Sequence, residues 1–417
     1  MRAPKTFFVQ ATANRLPFKR GTFHNVTTSI PYYKQRAYGQ DAHELGREPV
    51  PEIYVARIVR MFDEVARVMR NDATLFLNIG DTYDSRSGNL IGIPWMVAQA
   101  MKAAGWILRA EIIWAKAISF GDAHAENVRA AVRREARRLG LSKDVAARLA
   151  SVVEPQVGAC MPSSVTDRPT TSHETLFLFT GRRDYFCDWE PLKEAGKDWG
   201  ERDRSDWKYT TVPGQAKHNG CKDNNFAEKG RNLRSVWTIN PQPYHTTGEK
   251  HYATYPERLA APCVRAGTSD AGCCSVCGAP FLRVVEKTKI KRARPNEYVK
   301  RTGAAGTGNK VANTVSGVAS RTMGFETSCS CGPAQGVTTP VPVPCRVLDP
   351  CGGIATTALA ANAHGRDCVV VDLYHEFLIE GRNRLLRRRG DAATVVPVDR
   401  KPDPPESDPD QLELSEV

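Results

Sequence analysis

Apolar and polar positions along this chain follow two rhythms, one of period two and one near three and a half. Residues 22–29 (TFHNVTTS) read as a short strand ending in a polar turn. Pro51 then opens an amphipathic helix, in which Val55, Ile58, Val59, Phe62, Val65, Ala66 and Met69 recur at three- and four-residue steps. A β-rich run over 73–78 follows and stops at Gly80-Asp81. Residues 91–104 predict a second helix, 106–114 a strand, and 173–180 (HETLFLFT) a further buried strand. Such alternation is the pattern of a parallel α/β sheet.

The rhythm breaks in three places. Residues 121–152 are rich in Ala and Arg with helical spacing and predict an inserted helical hairpin. Residues 186–235 are polar with little periodicity. Residues 285–328 are basic, then rich in Gly, Ala and Thr, and are expected to form a loop without regular structure. Order resumes at Cys345 with a strand (CRVLDP), a helix (TTALAANAHG), a strand (CVVVDL) and a basic helix up to Arg389. Prolines and acidic residues from Arg400 onward predict a disordered tail.

The segment VLDPCGGIATTALAANAHGRDCVVVDL has the mechanics of a nucleotide-type site. A strand ends at Asp349, a turn holds Gly352 and Gly353, a helix begins near Thr356, and a second strand ends in Asp372. Glycines let backbone approach a ligand, a helix N-terminus offers unbonded N–H groups, and a carboxylate after the next strand can hold ribose hydroxyls. Too little chain follows this turn to complete a sheet, so the remaining strands must come from earlier sequence. That implies a circularly permuted order.

Composition narrows the class. Apolar residues make up 41% and charged residues 25%, as in ordinary globular proteins, and no run of about 18 apolar residues is present to span a membrane. Residues 1–19 lack the apolar stretch of a signal peptide, so a cytoplasmic protein is expected. Lys and Arg number 58 against 46 Asp and Glu, a net charge of +12 that suits a polyanionic partner such as nucleic acid. Twelve cysteines in such a chain argue for reduced thiols or a metal site rather than a disulfide framework.

Near the N-terminus stands Thr28-Ser29-Ile30-Pro31-Tyr32-Tyr33, followed by Arg36-Ala37-Tyr38-Gly39. Further blocks are Asn78-Ile79-Gly80-Asp81-Thr82-Tyr83, Gly105-Trp106 through Trp114-Ala115-Lys116, Met161-Pro162 through Asp167-Arg168-Pro169, and His173-Glu174. Arg234-Ser235-Val236-Trp237 and His251-Tyr252-Ala253-Thr254-Tyr255-Pro256 complete the series. In this order the blocks resemble the β group of amino DNA methyltransferases, whose catalytic Ser/Asp-Pro-Pro-Tyr motif precedes the cofactor motif.

The resemblance implies a site-specific enzyme that moves a methyl group from S-adenosylmethionine to cytosine N4 or adenine N6 in double-stranded DNA. By resemblance, Ser29 and the backbone carbonyl of Ile30 accept hydrogen bonds from the exocyclic amine, Pro31 shapes the turn, and Tyr32 stacks on a flipped-out base. Asp349, Pro350, Cys351, Gly352, Gly353, Thr356 and Asp372 are the cofactor residues, with Thr254 lining the methionine end. Ser at position 29 leans towards cytosine. Ile30 stands where the family has proline, and Ile354-Ala355 where it usually has a pair such as Ser-Gly. These departures suggest a rival, a weakened or inactive DNA-binding relative; an RNA methyltransferase is a third reading. A cognate restriction endonuclease is a possible partner for such an enzyme.

Cys274-Ser-Val-Cys277-Gly and Cys329-Ser-Cys331-Gly supply four thiolates for a structural, tetrahedral zinc, with Cys273 and Cys345 as substitutes. The basic loop between the pairs (Lys287, Lys289, Lys291, Arg292, Arg294) could touch phosphates or be a solvated charge run.

The expected architecture is α/β: a permuted Rossmann-like methyltransferase sheet with helical, target-recognition and zinc-knuckle insertions. Residues 1–118 and 159–185 form the catalytic half, 119–158 the helical insertion, and 186–250 a target-recognition region. Residues 251–272 and 345–395 form the cofactor half, 273–344 the zinc-knuckle and basic-loop insertion, and 396–417 a disordered acidic, proline-rich tail. The helical insertion, with Arg129, Arg133, Arg134, Arg137 and Arg138, is a second candidate for reading the target.

Overall fold

The computed structural model describes residues 2–36, 38, 44–116, 121–152, 165–194, 232–242, 254–290, 317–331, 341–389 and 394–398, with backbone alone at 121–128, 151–152, 287–290, 317–320 and 394–398. Its frame is a nine-stranded mixed sheet. In chain order the strands are β1 (Lys5–Gln10), β2 (Phe23–Ser29), β3 (Met69–Ile79), β4 (Ile107–Ala115), β5 (His173–Thr180) and β6 (Val236–Thr238). Outside that sheet lie β7 (Cys273–Cys274), β8 (Phe281–Ile290), β9 (Gly317–Thr327) and β10 (Pro342–Val343), and the chain rejoins it with β11 (Arg346–Asp349), β12 (Asp367–Asp372) and β13 (Thr394–Val398). Across the sheet the order is β13-β1-β12-β11-β2-β3-β5-β4-β6. Strands from the two ends of the sequence therefore interleave.

The helices are α1 (Pro51–Val68), α2 (Ile93–Ala103), α3 (Gly121–Arg138), α4 (Lys143–Val152), α5 (Glu257–Ala266), α6 (Thr356–Ala363) and α7 (His375–Arg389). Helix α1 begins at Pro51, whose missing N–H would have had no acceptor within the helix. It buries Tyr54, Val55, Ile58, Met61, Phe62, Val65 and Val68 on one stripe, in the same core as Val26, Leu75, Leu77 and Phe179 of the sheet. The other core joins Phe8, Val347, Cys368 and Val370 to Val264, Ala358, Leu359, Leu378 and Leu385 from α5, α6 and α7. Helix α6 is small-sided and fully inward, its residues Thr356 to Ala361 all buried, which lets it lie close against the strands.

Three expectations need correction. The sheet is mixed, because β5 runs antiparallel to both β3 and β4. A buried strand reads alike in either direction, so periodicity cannot give its sense. The stretch 285–328 is not a loop throughout: β8 and β9 pair antiparallel from Phe281↔Thr327 to Ile290↔Gly317. The intervening 291–316, with Lys291, Arg292 and Arg294, lies outside the described residues. Two strands escaped notice, β1 and the edge strand β13, the latter occupying 394–398 where the tail was expected to start at 396.

The hairpin α3–α4 forms as expected, with Ala136, Ala146 and Ala150 buried. Parts of the presumed recognition region belong to the body: β6 extends the sheet beside β4, and Trp189, Leu192, Leu233 and Trp237 pack with Phe76 and Leu178. Residues 195–231 and 243–250 of that region lie outside the described residues, as do Ala37, Gly39, Met161, Pro162, His251, Tyr252 and Ala253 from the motif blocks. Among the described residues no helix is long and apolar enough to cross a membrane.

Candidate active site

Parallel strands β2 and β11 are neighbours, paired at Val347↔Asn25 and Leu348↔Val26. Their C-terminal ends therefore lie side by side, and the turns beyond them, Ser29–Tyr32 and Pro350–Ile354, line one cleft. A hydrogen bond closes the seam, Thr28 Oγ1 donating to Asp349 Oδ1 at 2.7 Å. The cleft holds about 1170 Å³ of empty space, its open mouth included. Besides the two turns its walls contain Thr254, Thr356, Asp372 and Tyr374, so nearly every residue singled out from the sequence reaches it.

Asp349 is fully buried and is held by Thr28, the Thr357 hydroxyl, the Cys351 N–H at 3.3 Å and Tyr255 Oη at 3.1 Å. Burial raises its pKa, and the hydroxyl donors pull the other way. Tyr255 and Thr357 had no individual role in the sequence reading. They bond to each other as well as to the carboxylate, so the segment entering α5 and the first turn of α6 are both tied to the end of β11.

The glycine turn is shaped by Asp372. One of its oxygens accepts the Gly353 N–H at 2.8 Å and the other the Tyr374 N–H at 3.0 Å. Burial pushes this carboxyl up to about 6. Gly352 packs so closely on Val370 that a Cβ would meet its side chain at 2.3 Å, whereas a Cβ on Gly353 (φ +46°) would meet nothing within 4 Å. The first glycine is needed for packing and the second leaves backbone open towards the cleft. Cys351 sits beside Met61, and burial pushes its thiol well up, which suits packing rather than chemistry.

The two departures from the motif have local explanations. Ile30 is 2% exposed and belongs to the same core as Leu45 and Tyr54. Its turn is stiffened elsewhere: Tyr54 Oη donates to the Pro31 carbonyl at 2.7 Å and the Lys34 N–H to the Gly46 carbonyl at 2.7 Å. Ala355 occupies the left-handed region (φ 64°) as the N-cap of α6, and its Cβ fits because residue 381 is glycine. A side chain is thus present where a glycine would sit without strain.

Below Ser29 lies a polar network that the sequence did not reveal as a unit. Tyr32 Oη donates to Glu174 Oε2, and Lys116 Nζ pairs with Glu174 Oε1. Asn78 Nδ2 contacts Ser29 Oγ at 3.2 Å, Tyr32 Oη at 2.8 Å and Glu174 Oε2 at 2.7 Å. These residues come from four strand ends, which is why spacing alone could not group them.

Far from the cleft, near the N-terminal ends of β2 and β3, the thiols of Cys274, Cys277, Cys329 and Cys331 lie within 4.8 Å of one another. Cys273 and Cys345 are not substitutes for them; they meet His24 in a separate buried cluster. Both imidazole nitrogens of His24 are already engaged, Nδ1 accepting the Arg346 N–H at 3.0 Å and Nε2 donating to the Gly278 carbonyl at 2.7 Å. That second cluster is hydrogen-bonded packing.

Comparison with known proteins places this geometry. A family model described as DNA methylase, for N6/N4 methyltransferases, matches residues 23–274, well over half of the chain. The type II methyltransferase M.SmaI of Serratia marcescens is 29% identical over 277 residues, covering 60% of this chain and 70% of that protein. M.Cfr9I of Citrobacter freundii, also a type II methyltransferase, is 29% identical over 281 residues, covering 61% and 68%. The solved structure of PvuII DNA methyltransferase (cytosine-N4-specific) aligns over 92% of this chain and 86% of that one, with 12% identity and a TM-score of 0.47. The chain belongs to the DNA methylase family, enzymes that transfer a methyl group from S-adenosylmethionine to the exocyclic amine of cytosine or adenine in DNA.

Proposed function

We propose that this enzyme methylates cytosine N4 at a specific site in duplex DNA, through the turn Ser29–Tyr32. The observation that carries this reading is the shared cleft at the ends of β2 and β11. An exocyclic amine is a weak nucleophile because its lone pair is delocalised into the ring. Ser29 Oγ and the Ile30 carbonyl, placed on its two hydrogens, draw the nitrogen towards tetrahedral geometry and free that pair. Tyr32 lies against the base once it has left the stack.

S-adenosylmethionine supplies the electrophilic methyl. The residues present fit it: Asp372 faces the cleft with lone pairs left for ribose hydroxyls, Gly353 offers open backbone, and Asp349, Pro350, Cys351 and Thr356 frame the turn. Thr254 lines the same cleft and serves the methionine end. The order of the sheet, with the catalytic strand β2 ahead of the cofactor strand β11 in the chain, supports a permuted methyltransferase fold.

The four-cysteine cluster suits a structural zinc. With Zn–S near 2.3 Å a tetrahedral ion sets its sulfurs roughly 3.8 Å apart, within the spread seen here. Residues 195–231 and the Arg-bearing hairpin α3–α4 are the candidates for reading the target. The type II names of the relatives are consistent with a companion restriction endonuclease, and cytoplasmic work on DNA is part of the same proposal.

The decisive experiment incubates the protein with methyl-labelled S-adenosylmethionine and mixed-sequence duplex DNA, then digests the DNA to nucleosides. Label on N4-methylcytosine is expected. Label on N6-methyladenine overturns the choice of base, and absence of label on any base overturns the activity.

A further inference from the structure

Methylating an amine leaves one proton too many. As the N–CH₃ bond forms and the methyl–sulfur bond breaks, the amine nitrogen becomes positively charged and must release a hydrogen as H⁺. Ser29 is a poor final acceptor for it, since a protonated hydroxyl is a strong acid. The proton has to go further.

We propose that Ser29, Tyr32 and Glu174 form a proton relay beneath the reacting base, ending on the Glu174 carboxylate; this rests on the methyltransferase reading above. Ser29 Oγ and Tyr32 Oη are 3.5 Å apart, and Tyr32 Oη already donates to Glu174 Oε2. Asn78 sets the direction. Its amide nitrogen lies within hydrogen-bond distance of Ser29 Oγ, Tyr32 Oη and Glu174 Oε2, and its two hydrogens serve two of these oxygens at a time; as a donor it leaves the hydroxyl hydrogens to point along the chain towards the carboxylate.

The steps balance. The amine hydrogen passes to Ser29 Oγ as a proton, the Ser29 hydroxyl proton to Tyr32 Oη, and the Tyr32 proton to Glu174 Oε2. Ser29 and Tyr32 end neutral, as they began, and Glu174 ends as the carboxylic acid. Lys116 pairs with the other oxygen of Glu174 and holds the carboxylate in place against Tyr32. Burial and the neighbouring Glu174 raise the Tyr32 pKa well above its ordinary value, so the transfer is concerted and no phenolate accumulates.

The strand register explains the assembly. Ser29 pairs with Asn78 across β2 and β3, Ile79 with Thr175 across β3 and β5, and Trp114 with Glu174 across β5 and β4. Tyr32 reaches into this row because residue 80 is glycine: a Cβ there would meet the tyrosine ring at 2.6 Å. Glu174 is 12% exposed at its side chain, sheltered enough to hold a fixed orientation yet open enough to return the proton to water. Glu174 is thus a positioning residue that acts through Tyr32 and Ser29.

The test measures single-turnover methyl transfer at saturating S-adenosylmethionine and duplex DNA over roughly pH 6 to 9, with cofactor binding followed by calorimetry as a check on folding. Tyr32→Phe and Glu174→Gln should each slow transfer by about 10²-fold, the usual scale for general-base assistance, with cofactor affinity retained. Their rates should climb with pH while the wild-type rate stays flat. The double variant should lose no more than the slower single one, because either change breaks the same wire. Glu174→Asp, which keeps a basic carboxylate but not the length, should outperform the isosteric Glu174→Gln. Glutamine matching or exceeding aspartate, multiplicative losses, or wild-type pH profiles in the variants would each overturn the relay. A wild-type protein that labels no base fails the parent reading itself, and the relay falls with it.

Discussion

Thr28 and Asp349 meet across the seam between the two functional strands, hydroxyl to carboxylate at 2.7 Å. The contact couples the strand that ends in the turn Ser29–Tyr32 to the strand that ends in the glycine turn. Thr28→Val keeps the β-branched shape and removes only the donor. A hydrogen bond to a buried charged group is worth about 1.5–3 kcal/mol, and a loss of that order is expected in urea denaturation at neutral pH. Asp349 has a raised pKa in the fold, so its ionised form is disfavoured there relative to the unfolded chain. Stability linked to such a carboxyl is present at low pH and lost as pH rises through the folded value. Removing Thr28 raises that pKa further, so the deficit of Thr28→Val should shrink on acidification. A deficit that is constant with pH would show that the carboxylate is not the group being stabilised.

Asp372 offers a second pH handle. Its carboxyl sits near 6 in the fold against an ordinary 3.8, because burial penalises the charge. Ionisation therefore costs folding stability as pH rises from about 4 through about 6, and that cost is complete above this window. A ligand that donates hydroxyl hydrogens to the carboxylate reverses the preference. S-adenosylmethionine affinity should accordingly fall by nearly tenfold per pH unit below about 6, with proton release on binding near that pH. Calorimetry in buffers of different ionisation enthalpy reads both quantities. Asp372→Asn should bind more weakly at neutral pH and lose the pH dependence; a variant that keeps it would exclude this carboxyl as its source.

What the sequence made legible was whatever depended on neighbours along the chain. Apolar runs marked β2, β4, β5 and β12, and the three- and four-residue spacing in α1 marked its buried stripe. The same local signals found both turns of the cleft. That strands from earlier in the chain join the one ending at Asp349 was inferred by elimination, whereas their order across the sheet and the sense of β5 were not legible. Strand β1 hid because KTFFVQ is short and lies among charges. The hairpin β8–β9 hid because lysines, threonines and glycines outweigh its alternation. Glu174 lies 142 residues from Tyr32, and no spacing rule joins them before the strand order is known. Ile30 and Ala355 depart from the family motif; Tyr54 braces the turn beside Ile30, and Gly381 leaves room for the Ala355 side chain without relieving its backbone conformation.

Ala355 still carries strain, since a non-glycine residue in the left-handed region costs about 1–2 kcal/mol. Ala355→Gly relieves it but frees the unfolded chain and gives up the packing of the Ala355 Cβ in the space that Gly381 leaves open. The net expectation is a gain of about 0.5–1 kcal/mol in denaturant unfolding, with cofactor affinity unchanged or slightly improved. Ala355→Val should lose more than about 2 kcal/mol, as a β-branched side chain suits that conformation worst and the space beside Gly381 is filled. Equal stability of the glycine and alanine forms would mean that the turn relaxes without cost.

The cysteine cluster makes the last prediction, and its placement decides what zinc would do. Cys277 and Gly278 are fastened to the sheet: Arg70 Nη1 donates to the Cys277 carbonyl at 2.9 Å and His24 Nε2 to that of Gly278 at 2.7 Å. His24 in turn accepts the N–H of Arg346, the first residue of β11, and β7 pairs with β10 just before that strand. A metal closing Cys274, Cys277, Cys329 and Cys331 would therefore brace the entry to β11, whose other end carries Asp349. Elemental analysis should find close to one zinc per chain, and Cys277→Ser or Cys329→Ser should lose it. Because the brace sits at the start of β11, the strand proposed to carry the cofactor turn, metal loss should lower the melting temperature and weaken S-adenosylmethionine binding together, while leaving the pH dependence expected from Asp372 intact. A well-folded preparation without metal that keeps both its melting temperature and its cofactor affinity would show that the four thiols need no ion to hold their places.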